Sequence, residues 1–166
     1  MYNLNTLFLD RDGVINKKLE GRYVRKFSEF TFMQGALQAI SQLSNIFCRI
    51  IIITNQQGIS KRIMSESDLK NLHIQMLERI EESGGVIDKI YYCPHLEELD
   101  CMCRKPKPGM IQKAIHDFPD IIIENSYLVG DSDSDIKAGK AMNLKTVKVN
   151  DNYTLAKWTH DLFGEV

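Results

Sequence analysis

An excess of charge of either sign is missing from this chain: 21 Lys and Arg against 22 Asp and Glu leave a net charge of −1 over 166 residues. Without a strongly basic balance there is no electrostatic footing for general binding to nucleic acid or to an anionic membrane surface. No apolar run approaches the ~20 residues of a membrane span. Met1 leads through a polar stretch into a strand, with no charged leader and apolar signal region. These absences lead us to expect a soluble, cytoplasmic, monomeric protein. Internal repeats and low-complexity tracts are also missing, and the length suits one ordinary domain. The cysteines are not spread as in a disulfide scaffold. Cys48 sits alone in an apolar strand and reads as a small core residue. Cys93, Cys101 and Cys103 instead crowd into one short loop with His95, a pattern that points to metal rather than cross-links.

What is present alternates between strand and helix. Thr6 to Leu9 reads as a buried strand, Gly35 to Asn45 as an amphipathic helix, and Arg49 to Ile53 as a strand covered on both faces. Ser65-x-x-Asp68 resembles a capping box opening a long helix, with Leu69, Leu72, Met76 and Ile80 on one face and Gly84-Gly85 at its end. Val86 to Tyr92 is a third strand. Pro108 suits the first turn of a helix that stops at Pro119. Ser126 to Val129, Ser134 to Met142 and Lys145 to Val149 read as strand, helix and strand. The expected fold is therefore α/β: one Rossmann-like three-layer domain with a central, mostly parallel five-stranded sheet. Residues 1–150 form that domain, with residues 151–166 as its C-terminal extension, either a loose helix or a tail.

In such sheets ligands bind outside the carboxyl ends of the strands. The loops leaving the expected strands begin Asp10-Arg-Asp12-Gly13, Thr54-Asn55-Gln56-Gln57-Gly58, Cys93-Pro-His95 and Gly130-Asp131-Ser-Asp133-Ser-Asp135. Four chemistry-bearing loops fall on one edge. Two carboxylates about 4 Å apart repel by roughly 4 kcal/mol at an effective dielectric near 20, so Asp10 and Asp12 call for a cation or a proton between them. Asp10, Asp12 and Asp131 are hard oxygen donors that suit Mg²⁺ together with a substrate phosphate. Thr54-Asn55 adds a hydroxyl and an amide, and Lys105 or Lys107 a cation, which makes a phosphoryl site. Cys93, His95, Cys101 and Cys103 complete a tetrahedral Zn²⁺ shell with no open position, a structural site. The loop 93–103 so tethered delivers Arg104 and Lys105.

The chain resembles the haloacid dehalogenase superfamily of phosphotransferases in Asp10-Arg-Asp12-Gly13, Thr54-Asn55, Lys105 and Gly130-Asp131-x-x-x-Asp135. That resemblance implies Asp10 as nucleophile and Asp12 as the acid/base. It implies Thr54 and Lys105 as stabilisers of the phosphoryl oxygens. Asp10, Asp131 and the Asp12 carbonyl would hold Mg²⁺, with Asp135 supporting them from behind. Thr54-Asn-Gln-Gln-Gly58, Tyr91-Tyr-Cys-Pro-His95 and Cys101-x-Cys103-Arg104-Lys105 narrow the likeness to the D-glycero-D-manno-heptose 1,7-bisphosphate 7-phosphatases and their relatives, the histidinol-phosphate phosphatases.

Within that family a small phosphorylated sugar would meet Arg11, Lys18, Gly21, Tyr23, Asn55, Gln56, Gln57 and Arg104. Basic residues gather in the loops of the active edge, which favours a bisphosphate. Two features depart from the family: Ser132 stands where a lysine is common, and the short His95–Cys101 interval is closer to the histidinol-phosphate pattern, so histidinol phosphate is the alternative substrate. A nucleic-acid 3′-phosphatase and a receiver-like signalling domain are the more distant readings. Neither Asp12–Thr54 nor Thr54–Lys105 leaves room for a cap domain, so the site should be open, covered only by the flap of residues 16–26 and the zinc loop.

Overall fold

Five parallel strands, β1 (Leu4–Leu9), β2 (Phe47–Asn55), β3 (Lys89–Cys93), β4 (Tyr127–Gly130) and β5 (Lys145–Lys148), pair in the order β3-β2-β1-β4-β5. The computed structural model describes residues 4–164; residues 1–3 and 165–166, which the expected domain bounds include, lie outside the described residues. Leu7 pairs with Ile50 on one side and Tyr127 on the other, so β1 is central and the sequence of strand addition switches from one side of it to the other. Helices α1 (Ala36–Leu43), α2 (Glu66–Glu82) and α5 (Leu155–Gly164) contribute to the apolar layer that also holds Leu7, Leu9, Ile50 and Ile52. Helices α3 (Gly109–Asp117) and α4 (Asp133–Ala141) cover Phe8, Ile51, Ile53 and Leu128 on the other face. Strands covered on both faces are what the continuous Ile50–Ile53 run encodes.

Local chemistry fixes the helix starts that position the site. Ser65 and Asp68 form a reciprocal capping box at the start of α2, as their spacing suggests. Ser132 and Asp135 form a second one at the start of α4, so Ser132 has a structural duty that its departure from the family pattern did not reveal. Pro108 is the N-cap of α3 rather than a member of its first turn.

Three expectations need correction. Cys48 is exposed, although Phe47 before it is buried; the continuous buried stretch of β2 starts only at Ile50. The third strand starts at Lys89, not Val86, since the Val86 N–H donates to Ser44 Oγ and is held off the ladder. Residues 155–164 form a regular helix whose Leu155 and Trp158 enter the core. No helix among the described residues is long and apolar enough to cross a membrane.

Candidate active site

Asp10 follows the last residue of β1, and its N–H donates to Val129 O across the junction with β4. The chain leaving β4 brings Asp131 opposite. Gly13 makes the approach feasible: a Cβ there would lie 2.2 Å from Asp131 Oδ2, and its φ of +89° is the left-handed region that glycine adopts freely. Carboxylate oxygens of Asp10, Asp131 and Asp135 all come within 4.8 Å of one another. Lys105 answers this concentration of charge. Its Nζ donates to Asp10 Oδ1 at 2.9 Å and to Ile53 O at 2.9 Å, and stands 2.6 Å from Asp135 Oδ1. Three oxygens thus surround the ammonium, two of them by hydrogen bond, and the residue is 4% exposed. Lys107, two residues on, pairs instead with exposed Asp100.

Burial pushes the Asp10 carboxyl up to about 8 despite the pull of Lys105, with the charges of Asp135 and Asp12 adding to the rise. A nucleophile must be ionised, so this site favours a further cation. Asp131, also raised by burial, has a buried Oδ1 with no hydrogen-bond partner, a donor set of the kind Mg²⁺ takes. Asp135 is engaged otherwise. Against its burial, Lys105 holds its carboxyl low, and its Oδ2 accepts from the N–H groups of Asp131 and Ser132. It braces the loop that carries Asp131.

Asp12 points elsewhere. Its Oδ1 accepts from Arg11 Nη2 and Asn16 Nδ2, each at 3.0 Å, and its Oδ2 from Gln56 Nε2 at 3.0 Å. Burial would raise this carboxyl, but the Arg11 guanidinium and the three donors hold it below the usual range. Arg11 is 1% exposed, and its Nη1 lies 3.0 Å from His73 Nε2 on α2. Arg11 and Gln56, expected to meet the substrate, both line the cleft, with Arg11 Nη2 and Gln56 Nε2 donating to Asp12. Thr54 is fully buried at the end of β2, its hydroxyl accepting from the same Gln56 amide. Asn55 clamps the Lys105 backbone, donating to its carbonyl and accepting from its N–H. Sequence reasoning missed Asn16 and His73. A polar residue four after Asp12, and a histidine on the buried stripe of α2, are the signals that mark them.

The pocket above these groups has a volume of about 700 Å³. Lys18, Arg22, Lys61 and Arg104 lie on its wall, with Gly21 and Tyr23 of the flap. Lys18 Nζ stands 3.6 Å from Asp131 Oδ2, while Gln57 Nε2 donates to Tyr23 Oη at 2.9 Å and so joins the flap to the β2 loop.

Beside Lys105, Cys93, His95, Cys101 and Cys103 converge. Their Sγ and Nδ1 atoms are 3.2–3.6 Å apart across four contacts. A tetrahedron of thiolates around Zn²⁺ has edges of about 3.8 Å for a Zn–S bond near 2.3 Å, so the donor set fits. Gly109 backs the loop, since a Cβ there would lie 2.1 Å from Met102 O.

Residues 102–162 match the family model described as HAD-hydrolase-like. The D-glycero-alpha-D-manno-heptose-1,7-bisphosphate 7-phosphatase of Campylobacter jejuni is 42% identical over 141 residues, 85% of this chain and 79% of that one. The corresponding beta-named phosphatase of Neisseria meningitidis is 33% identical over 162 residues, 96% of this chain and 86% of that one. The chain belongs to the heptose-bisphosphate phosphatase family of the haloacid dehalogenase superfamily. Among solved members of that family, the D,D-heptose 1,7-bisphosphate phosphatase of B. bronchiseptica, complexed with magnesium and phosphate, superposes with a TM-score of 0.89. It is 28% identical, with 98% of this chain and 99% of that one covered.

Proposed function

We propose that this protein is a Mg²⁺-dependent phosphatase that removes the C7 phosphate of a D-glycero-D-manno-heptose 1,7-bisphosphate through an aspartyl-phosphate. The observation that carries the reading is the meeting of Asp10, Asp131 and Lys105 at the carboxyl ends of β1 and β4 under a basic cleft. Asp10 and Asp131 would hold the Mg²⁺, which when bound keeps Asp10 ionised and offsets phosphate charge.

An Asp10 oxygen attacks phosphorus, the bond to the sugar oxygen breaks, and Asp12 gives that oxygen a proton. Asp12 then takes a proton from the water that attacks the phospho-Asp10, releasing phosphate and restoring the carboxylate. At rest Asp12 is ionised; as the arriving phosphate dianion raises its hold on a proton it takes up from solvent the one it gives to the sugar oxygen, and the proton it regains from water leaves with the phosphate. Lys105 balances charge at Asp10 throughout. Cys93, His95, Cys101 and Cys103 would hold a structural Zn²⁺ that fixes the loop bearing Arg104 and Lys105. The four basic side chains on the cleft wall support a substrate with a second phosphate. Thiols gathered for metal rather than paired in disulfides support a cytoplasmic setting.

The test is steady-state kinetics on both heptose bisphosphate anomers, histidinol phosphate and p-nitrophenyl phosphate, with borohydride trapping of the intermediate. The highest kcat/KM should fall to a heptose bisphosphate, with reduced label at Asp10. A higher kcat/KM for histidinol phosphate would move the substrate to the alternative that the short His95–Cys101 segment favours. Label elsewhere than Asp10 would remove the mechanism.

A further inference from the structure

Beneath the acid/base carboxylate lies a buried chain that the phosphatase reading does not use: His73 on α2, Arg11 after β1, and Asp12. We propose that His73 is a positioning residue that aims the Arg11 guanidinium at Asp12 and so sets the orientation of the proton-transferring carboxylate; this rests on the reading of Asp12 as acid and base.

An arginine can only donate, so at a 3.0 Å separation His73 Nε2 must be the acceptor from Arg11 Nη1. The imidazole is therefore neutral and carries its proton on Nδ1. Burial, and then the adjacent guanidinium, keep it so by pushing its pKa down to about 3. Arg11 is 1% exposed and His73 7%, and the guanidinium Nε is buried without a partner. A guanidinium used simply to neutralise a core carboxylate presents both arms of its fork to it. Here the fork is divided, with Nη2 on Asp12 Oδ1 and Nη1 on His73, so its angle at Asp12 is set by the histidine.

His73 itself is placed by its helix. Leu69, Leu72 and Met76 flank it on the buried stripe of α2, and the Ser65–Asp68 capping box fixes where that helix begins. Asn16 and Gln56 supply the other two bonds to Asp12 from the flap and from the β2 loop. Three separate segments thus converge on one carboxylate, and α2 contributes only through His73 and Arg11. Small displacements of a proton donor are costly because transfer needs hydrogen-bond reach to the departing oxygen.

Leaving-group dependence separates this role from a general effect on folding. A sugar alkoxide needs a proton to depart, whereas p-nitrophenolate does not, and kcat/KM reports the step in which the leaving group departs. His73→Leu removes the acceptor. It is expected to lower kcat/KM for heptose 1,7-bisphosphate by about ten- to a hundredfold, a part of the general-acid contribution, and that for p-nitrophenyl phosphate by less than about threefold. His73→Gln, whose amide oxygen can accept from Arg11, should restore the sugar-phosphate value to within about threefold of the original. Asp12→Asn is the reference and should show the same discrimination, larger.

Equal loss on both substrates in His73→Leu, or no loss on either, while Asp12→Asn discriminates, would overturn the inference and leave the mechanism standing. Absence of discrimination in Asp12→Asn itself would remove the acid/base reading, and this inference with it. A second measurement needs no variant. Long-range ¹H–¹⁵N spectra of the intact protein at neutral pH should show His73 as the Nδ1–H tautomer, and an Nε2–H ring or an imidazolium would overturn the tether.

Discussion

Replacing Lys105 by Met tests the charge arrangement at the centre of the site. The substitution keeps the length of the side chain and leaves the Asn55 clamp on the residue 105 backbone intact, so the change isolates the ammonium. Lys105 is the cation between Asp10 and Asp135, and all three side chains are nearly closed to solvent. Breaking a buried pair by removing one partner costs about 3–5 kcal/mol, since the other charge stays behind. For a domain of this size that lowers Tm by roughly 6–20 °C, out of a total stability of about 5–15 kcal/mol.

The pH dependence has a definite sign. Asp10 carries a folded pKa raised from 3.8 to about 8, chiefly by burial, so its contribution to stability is fully present below pH 3.8 and is lost as pH rises through about 8. Lys105 works against that rise, and it holds Asp135 below the usual range. Without it both carboxyls favour their protons more strongly. The deficit of Lys105→Met should therefore shrink as pH falls from about 8 towards 3.8. Urea unfolding of the metal-free protein across that range measures it. A deficit below about 1 kcal/mol at neutral pH, or one that grows on acidification, would refute the ion-pair argument.

Further expectations concern the remaining groups. Asp10→Asn should remove at least about 10⁴ of turnover while leaving the unfolding free energy from urea titration within about 0.5 kcal/mol of the original or higher, because a buried carboxyl with a raised pKa is replaced by a neutral amide; retained activity would dismiss Asp10 as nucleophile. Stripping metal from Cys93, His95, Cys101 and Cys103 with a zinc-selective chelator should lower Tm and kcat together, with both restored by added Zn²⁺, as followed by calorimetry and phosphate release. Unchanged melting would deny those four residues a metal-holding role. Arg104→Ala should raise KM for a bisphosphate about tenfold or more while changing kcat less, the behaviour of a binding contact. An equal effect on p-nitrophenyl phosphate would mean that Arg104 does not read the distal part of the substrate.

The layout of the site was readable because strand ends announce themselves locally. An apolar run followed by Asp10-Arg-Asp12-Gly13, or by Gly130-Asp131, says where the chain leaves the sheet, and parallel strands put all such exits on one edge. The Ser65–Asp68 box was equally local, as both halves of its hydrogen-bond pair lie within four residues. Side-chain partner choice was not readable. Nothing around Arg11 says that it turns inward to a histidine 62 residues away, nor does Asn55 disclose that it grips the backbone of residue 105. Both depend on which loops meet, and the periodicity of neither segment carries that information. Cys48 failed for a different reason: the β-branched run after it implies burial, but continuous burial begins only at Ile50.

The central position of β1 has a consequence for how the chain acquires its charges. Leu7 is registered with Ile50 early in the sequence and with Tyr127 only near its end. A polypeptide made from its N-terminus can therefore build the β3-β2-β1 half while β4 has still to emerge. Lys105 belongs to that earlier portion and reaches Asp10 from the loop after β3, whereas Asp131 and Asp135 come later. The order of residues along the chain places the neutralising cation ahead of the second group of carboxylates, so the acidic cluster need not assemble uncompensated at any stage of synthesis.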